Sequence, residues 1–370
     1  MKENKILSGI FILFFCLFIN TSPCIGKEAS LTLIYTSNNL GEVEPCLTCP
    51  EAGENGGLPR RSHFIKTVRN EVNDLLILDA GDTLAIDYFS RESEREKARK
   101  RAEVVLQLYE KIGYDALNIG DTDLGLGVEY LRNLQKNLKI PFLSANLKDK
   151  KTKKPIFTPY LIKEIGGIKI GVLGLITDEI SPNIQKELKN DFIENPNKAA
   201  KETINRLMAS CDHIIALTHL TPLEIESLAK EVPRLSIIIG GKDRSFIFPK
   251  QIHRSIYVQT DAFGAHIGRM NLNLIKESSE FIDISSKTLI QKKIDETQKK
   301  IEDPTYEKDI KALKELQAIL IEQKKKMPSS EGKNTYENHL TLMHPQMESD
   351  REIEKMIDSS RDRLKRPIPY

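Results

Sequence analysis

The sequence contains no tryptophan among its 370 residues, and aromatic residues make up only 6% of it. Its 55 Lys and Arg residues nearly balance its 53 Asp and Glu residues, which leaves a formal net charge of +2. It therefore lacks the basic excess typical of nucleic-acid-binding proteins, and we expect no nucleic-acid partner. Hydrophobic residues at 39% and charged residues at 29% are typical of a globular protein and exclude a wholly disordered or collagen-like chain.

Long hydrophobic runs are also scarce, and the one run apolar enough to enter a membrane lies at the N-terminus. Lys2 and Lys5 precede or flank an apolar segment, residues 6–19, that is short for a transmembrane span. This pattern predicts a signal peptide over residues 1–26 that is cleaved before Lys27; a retained N-terminal anchor is the alternative. We therefore expect an exported protein of the periplasm or cell envelope, with no membrane association beyond this segment.

Cysteine is sparse, with five residues in the whole chain. Cys46 and Cys49 form a C-x-x-C pair, and Cys211 lies at the start of an apolar segment. Neighbouring thiols tend to pair in an oxidising compartment, so a local disulfide between Cys46 and Cys49 is one interpretation. A redox-active dithiol and a metal site are the other two. No His follows Cys49, so the signature of c-type haem attachment is not met.

From residue 31 to about residue 285, short apolar segments alternate with amphipathic helical patterns. This alternation predicts an α/β fold with a buried central sheet. The helical patterns include Glu94–Ile112, Val128–Asn137 and Lys198–Ala209. The strands are predicted at residues 31–36, 75–80, 116–120, 141–145, 169–174, 213–218, 236–240 and 255–260. Two further apolar segments, 267–274 and 281–284, have no helix between them and predict an antiparallel meander.

The composition changes after residue 285 toward Lys, Glu and Gln. Two helices are predicted at residues 286–302 and 306–326, with Pro304 between them, followed by a polar linker at 329–334 and a final charged helix at 350–366. We therefore divide the chain into a signal peptide (1–26), an α/β domain (27–285) and a charged helical extension (286–370). The extension either packs back on the domain or binds an envelope protein partner.

Polar side chains follow five of the predicted strands. Because the carboxyl ends of strands in an open α/β sheet face a shared crevice, we expect these side chains to lie close together. Oxygen and imidazole groups in one crevice suit a divalent metal. The alternative is structural: Asp82 and Asp121 cap turns or helices, and His219 is a buried packing residue. The side chains concerned are Asn38, Asp82, Asp121, His219 and the pair Lys242 and Arg244.

An ordered set of short segments resembles the 5′-nucleotidase branch of the calcineurin-like metallophosphoesterases, the branch of the bacterial periplasmic nucleotidases and UDP-sugar hydrolases. The resemblance covers about residues 31–275 and implies a layered α/β/β/α sandwich. It also implies hydrolysis of phosphate esters by a pair of metals. The segments are LIYTSN (33–38), GG (56–57) with Arg60 and Arg61, LDAGD (78–82), GYDALNIG (113–120), FLSANL (142–147), IGVLGL (170–175), IALTHL (215–220), IIGG (238–241) and GAHIGRMN (264–271).

The metal ligands that the resemblance implies are only partly present. Asp82, the bridging carboxylate, and His219 are in place, and both are predicted to serve catalysis. Asn38 stands where the family has Asp, and Asp121 stands where it has Asn. The remaining positions have lost their His residues and carry Leu40, Thr122, Lys242 and Arg244. The resemblance therefore implies at most one divalent metal, Mn²⁺, Zn²⁺ or Mg²⁺, held by Asn38, Asp82, Asp121 and His219, or none.

Fixed positive charge stands where the second metal is expected. Our hypothesis is that Lys242 or Arg244 pairs with Asp82, so that a salt bridge replaces a metal, and that divalent ions bind weakly. Three functions stay open at this stage. The first is a weak or single-metal phosphoesterase acting on a phosphorylated small molecule. The second is a non-catalytic protein whose crevice presents Lys242, Arg244, Arg60 and Arg61 to an anion. The third is a thiol-redox protein that uses Cys46 and Cys49.

Overall fold

The computed structural model describes residues 27–45, 53–276 and 278–367. The predicted signal peptide and the pair Cys46 and Cys49 lie outside these residues, so their predictions stay predictions. Cys211 is described, and it is a buried free thiol. None of the described helices is long and apolar enough to cross a membrane.

The strands of the described residues include every strand predicted from the alternating apolar segments, together with several more. In chain order they are β1 (Glu28–Thr36), β2 (Leu75–Asp79), β3 (Ala116–Asn118), β4 (Phe142–Leu143), β5 (Leu147–Asp149), β6 (Tyr160–Ile165), β7 (Ile168–Ile176), β8 (Asp191–Ile193), β9 (His213–His219), β10 (Ile237–Gly240), β11 (Ile247–Ile252), β12 (Ser255–Gln259), β13 (His266–Ile275), β14 (Phe281–Asp283) and β15 (Asn334–Leu342).

Capping residues mark one end each of α6 (Pro222–Glu231) and α2 (Glu92–Ile112). At α6, Thr221 and Glu224 form a reciprocal capping box, and Pro222 occupies the first turn. α2 ends at Gly113, whose φ of 90° lies in the left-handed region. The helices are α1 (Leu58–Glu71), α2 (Glu92–Ile112), α3 (Val128–Gln135), α4 (Pro182–Glu187), α5 (Pro196–Leu207), α6 (Pro222–Glu231), α7 (Ser285–Glu302), α8 (Ile310–Lys325) and α9 (Arg351–Asp358).

Two large sheets form the centre of the molecule. The first has seven strands in the order β14-β15-β13-β1-β2-β3-β4, and the second has six in the order β11-β12-β10-β9-β7-β6. In the first sheet β1 is parallel to β2 and antiparallel to β13. In the second sheet β10 is parallel to both β9 and β12. The parallel strands at the centre of each sheet direct their carboxyl ends, and the loops that follow, to one edge.

The core has three layers of side chains, as expected for four layers of secondary structure. Leu33 and Leu78 of the first sheet pack with Val172 and Leu217 of the second sheet between the sheets. Residues of α1, α2 and α9 cover the outer face of the first sheet. Residues of α5 and α6 cover the outer face of the second sheet. The predicted α/β/β/α sandwich is confirmed.

The segment after residue 285 departs from the helical prediction. The two helices of the arm are present as α7 and α8, but the final helix ends at Asp358, well before residue 366. β15 follows the predicted linker and pairs antiparallel with β13 over eight residues, from His266↔Leu342 to Asn273↔Thr335. A sheet strand therefore lies inside the segment that was predicted to be a helical extension.

The predicted meander of residues 267–274 and 281–284 is wrong for the same reason. β15 is inserted between β13 and β14, and β14 pairs with β15 in parallel. The hydrophobic pattern of β15 is weak, because the polar Asn338, which accepts from the Tyr35 hydroxyl, lies between the inward-facing Tyr336 and Leu340. This weak alternation left no strong strand signal.

Candidate metal centre

Three candidate ligands meet at the carboxyl ends of the central strands. Asp82 follows β2, Asp121 follows β3, and His219 is the last residue of β9. One carboxylate oxygen from each Asp and one ring nitrogen of His219 all lie within 4.8 Å of one another. The structure therefore brings these three predicted residues from both sheets into one cluster.

His219 lies at the centre of this cluster. Its Nε2 atom lies 2.7 Å from Asp121 Oδ1 and 3.3 Å from Asp82 Oδ2, and the side chain is 0% exposed. Neither ring nitrogen has a hydrogen bond of good geometry to a described residue. Burial opposes protonation of the ring, but the charges of Asp82 and Asp121 outweigh it and raise the pKa of His219 to about 10. Without a metal, the ring is therefore an imidazolium between two carboxylates.

Asp82 is held in an unusual backbone conformation. Its φ is 52°, in the left-handed region that a non-glycine residue seldom adopts. Its Oδ1 atom accepts a 3.0 Å hydrogen bond from the amide of Thr122. A Cβ atom at Gly120 would lie 2.1 Å from that oxygen, so only glycine allows the loop after β3 to approach this closely. The Oδ2 atom is left to face His219.

Asp121 is shared between two cations. Its Oδ1 atom faces His219, and its Oδ2 atom accepts a hydrogen bond of 2.6 Å from the Nζ atom of Lys242. Burial alone would raise the pKa of Asp121, but His219 and Lys242 hold it well below its usual range. Two carboxylates, the His219 imidazolium and the Lys242 ammonium thus balance in charge. The hypothesis that a lysine salt bridge forms in this crevice is correct in kind, but the partner is Asp121 and not Asp82.

A third carboxyl, the buried side chain of Asp123, adjoins the cluster and was not predicted from the sequence. Asp123 accepts backbone hydrogen bonds from Leu84 (2.8 Å) and Gly120 (3.0 Å). Burial and the charge of Asp82 raise the pKa of Asp123 to about 7. The sequence did contain a sign of its role, because Asp123 lies two residues after Asp121 in the polar segment that follows β3.

Asn38 borders the cluster from the loop after β1. Its φ is 52°, and its backbone amide donates to Gly81 (2.9 Å). Its Nδ2 donates to the carbonyl of Asp243 (3.0 Å), which fixes the loop that carries Lys242. The Oδ1 atom is buried and has no hydrogen-bond partner among the described residues. Asn38 therefore offers a free acceptor oxygen, as its predicted role as a ligand requires.

The chain is similar in sequence to several phosphoesterases. It is 30% identical over 251 residues to the 2′,3′-cyclic-nucleotide 2′-phosphodiesterase/3′-nucleotidase of Salmonella typhimurium, covering 60% of this chain and 36% of that protein. It is 26% identical over 325 residues to the snake venom 5′-nucleotidase of Naja atra, covering 77% of this chain and 56% of that protein. The chain thus spans from about a third to about half of the length of these relatives. No family model matches it.

The fold of the chain is also similar to that of a known phosphoesterase. The calcineurin-like phosphoesterase YfkN of Bacillus subtilis superposes with a TM-score of 0.63 at 16% identity, covering 91% of this chain and 98% of that structure. In sequence and in fold, the chain is therefore similar to the 5′-nucleotidase branch of the calcineurin-like metallophosphoesterases.

The part of this nucleotidase-like cleft that would hold a second metal is apolar. Leu40, where the family resemblance implies a His, packs in a cluster with Ala262, Phe263, Ala265 and Ile86. Apolar side chains offer no ligand atoms, and Lys242 adds a positive charge nearby. The residues present therefore do not fit a second cation.

Thr122 stands where the resemblance implies a second His, and it is directed elsewhere. Its hydroxyl donates to the carbonyl of Ala85 at 2.7 Å. It therefore contributes only its backbone amide to the site, through the hydrogen bond to Asp82.

The predicted anion-binding arginines of the cleft have different surroundings. Arg61 is 1% exposed and donates to Tyr109, Tyr114 and Asn39, so its guanidinium already has three buried partners. Arg60 donates to backbone carbonyls, among them that of Glu54 at 2.8 Å, so fewer of its N–H groups are available to an anion. Arg244 is exposed and lies 6.0 Å from the ring centroid of Phe263. It forms no ion pair with a described residue, so the alternative pairing with Asp82 is not made.

The remaining residues do fit one divalent cation. The donor set comprises two carboxylates and an imidazole, with a buried acceptor oxygen at Asn38. The orphaned nitrogen of His219 points between the two carboxylates. Carboxylate oxygen and imidazole nitrogen suit Mn²⁺, Zn²⁺ and Mg²⁺ to different degrees, and this set excludes none of them.

Proposed function

We propose that this chain is a single-metal phosphoesterase in which Lys242 takes the place of a second metal. The observation that carries the proposal is the cluster of Asp82, Asp121 and His219 with the Lys242 ammonium on the far oxygen of Asp121. A phosphorylated small molecule is the substrate class. Because the chain spans only part of its relatives, their substrates and rates do not transfer to it.

Different residues of the chain would bind the cation and the substrate. Asp82, Asp121 and His219 would hold the cation, with His219 in its neutral form. A bound divalent metal polarises a phosphoryl oxygen and makes a bound water more acidic. Lys242, which is about a quarter exposed, lies on the open side of Asp121 and can donate to a second phosphoryl oxygen.

A second candidate function is anion binding without catalysis. It is favoured by the charge balance of the cluster, in which His219 and Lys242 already neutralise Asp82 and Asp121. A cleft of this kind would bind phosphate through Lys242 and Arg244 with no metal. The experiment below separates the two functions.

The test is hydrolysis of an aryl phosphate by the purified full chain with and without Mn²⁺. The proposal predicts slow turnover that requires Mn²⁺ and that Asp82→Asn reduces at least about a hundredfold, because a charged ligand oxygen is replaced by a neutral amide. Asp309→Asn, which removes an exposed carboxylate between α7 and α8, is the matched control and should keep wild-type activity.

The same assay defines the role of Lys242. Lys242→Met should raise KM for the phosphate ester more than it lowers kcat, because it removes a contact to the phosphoryl group. Turnover that persists in a metal chelator, or that Asp82→Asn leaves unchanged, would contradict the proposal. Absence of turnover, with phosphate raising the melting temperature in chelator, would support the second candidate instead.

We further propose that the protein acts outside the cytoplasm, in the periplasm or cell envelope. The support is the signal-like pattern of residues 1–26. The arm formed by α7 and α8 is the proposed contact for an envelope protein partner, because Leu316 and Ile319 on it are 45% and 56% exposed. A thiol-redox role would rest on Cys46 and Cys49, which lie outside the described residues.

A further inference from the structure

Behind the cleft lies a buried polar network that contacts no part of the proposed substrate site directly. It consists of Arg61, Tyr109, Tyr114, Asp79 and Thr36, and we call it the Arg61–Asp79 network. All five side chains are buried. Burying charges and hydroxyls in this number costs free energy unless they are hydrogen-bonded or paired with one another.

Arg61 holds one end of the network. Its guanidinium donates from Nη1 to the hydroxyls of Tyr109 (2.8 Å) and Tyr114 (3.2 Å), and from Nη2 to Asn39 Oδ1 (3.0 Å). The two tyrosine rings stack at a centroid distance of 4.2 Å. Arg61 therefore contacts the residue next to Asn38 and anchors the loop after β1.

Asp79 holds the other end. Its Oδ2 atom accepts from Thr36 (2.6 Å) and Tyr109 (3.3 Å). Its Oδ1 atom accepts from the amide of Gly81 (3.0 Å) and the hydroxyl of Thr83 (2.6 Å). These two donors flank Asp82, so Asp79 holds the loop after β2 on both sides of the Asp82 carboxylate.

The two loops are strained and depend on each other. Asn38, Leu40 and Asp82 all have φ between 52° and 55°. The Leu40 amide donates to the Asp82 carbonyl (2.8 Å), as the Asn38 amide does to Gly81. A left-handed conformation at a non-glycine residue persists only where the surroundings hold it, and clusters at functional sites.

A third loop, the one that contains Gly264, contacts the guanidinium of Arg61. A Cβ atom at Gly264 would lie 2.1 Å from Arg61 Nη2, and Gly264 has a φ of 66°. The next residue but one upstream, Ala262, belongs to the apolar cluster around Leu40. Arg61 thus sits where three loops of the cleft meet.

We propose that Arg61 is a positioning residue that, through Tyr109 and Asp79, holds Asn38 and Asp82 in their metal-binding conformations. The part of this inference that is measured by metal binding rests on the proposed function. Arg61 touches neither the cation site nor the substrate, and acts only through the loops. Lysine cannot replace it, because a single ammonium cannot reach two tyrosines and Asn39 with fixed directions.

The test compares Mn²⁺ binding by the full-length variants Arg61→Lys, Arg61→Met and Tyr109→Phe using calorimetry. Loss of an outer partner of metal ligands typically weakens binding about 10–100-fold. We expect a loss in this range for both Arg61 variants and a smaller loss for Tyr109→Phe. Lys148→Met is the matched control, because it also removes a buried cation, which pairs with Glu194 and Glu202 in the region of β5. It should lower stability but keep the Mn²⁺ affinity.

Hydrogen exchange of the metal-free proteins gives a readout that does not depend on the metal. Arg61→Met and Tyr109→Phe should lose amide protection in residues 37–41 and 80–83, and Lys148→Met should not. If the wild type binds no Mn²⁺, the proposed function fails and the exchange result alone decides this inference. If Arg61→Met does not fold, both the Mn²⁺ affinity and the hydrogen exchange are measured on Tyr109→Phe. Wild-type affinity and wild-type loop protection in a folded variant would overturn the inference.

Discussion

The Lys242 ammonium and the His219 imidazolium lie on opposite oxygens of Asp121, and this pairing sets the chemistry of the cleft. The pKa of His219 is raised to about 10 because the attraction of Asp82 and Asp121 outweighs burial. A metal ligand must be the neutral imidazole, so a cation has to displace a proton before it binds. His219 therefore both offers a ligand nitrogen and limits the affinity of the site for the metal.

This competition makes metal binding depend on pH. Between pH 6.5 and 8.5 His219 is protonated in the metal-free protein, so the apparent Mn²⁺ affinity should rise about tenfold per unit as the pH rises. The rise should end near the pKa of about 10. Calorimetry in buffers of different ionisation enthalpy should count about one proton released per metal. Affinity that is independent of pH, with no proton release, would show that His219 is not a ligand.

At the scale of secondary structure, β15 and the arm of α7 and α8 have different roles. β15 is paired on both sides, by β13 and β14, and Tyr336 packs between the two sheets. The arm makes its main contacts within itself. Its buried residues are few, namely Ile294, Thr297 and Leu320. The strand therefore belongs to the core and the arm does not.

Two variants should separate these roles. Replacement of residues 287–330 by a short flexible linker should leave the free energy of unfolding nearly unchanged, because it removes little buried apolar surface. Tyr336→Ala should lower the free energy of unfolding by about 3 kcal/mol, because it opens a cavity between the sheets. Chemical denaturation of both variants checks the difference. Unfolding of the linker variant would mean that the arm is needed to hold β14 beside β15.

At the scale of the whole molecule, much of the cleft could be predicted from the sequence. Asp82, Asp121 and His219 follow strands, and the carboxyl ends of parallel strands meet at one edge, so their convergence follows from the alternating pattern. The alternating apolar runs predicted an α/β fold with a buried central sheet, and the family resemblance implied the layered sandwich.

The remaining features depend on contacts that sequence position does not reveal. Lys242 was expected on Asp82, but the path of the loop after β10 places it on Asp121. Arg61 was expected in the crevice, yet α1 turns it inward toward Tyr109. The strand β15 was missed because its polar residues hide the alternation. In each case a distant partner, and not local sequence, decides the outcome.

The claim on which this account depends is that the cleft holds one divalent cation and that Lys242 stands in for a second. Native mass spectrometry of the metal-stripped full chain, titrated with Mn²⁺ at pH 8.5, measures this directly. The account predicts saturation at one Mn²⁺ per chain and none in Asp82→Asn. Two ions per chain, or none in the wild type, would contradict it.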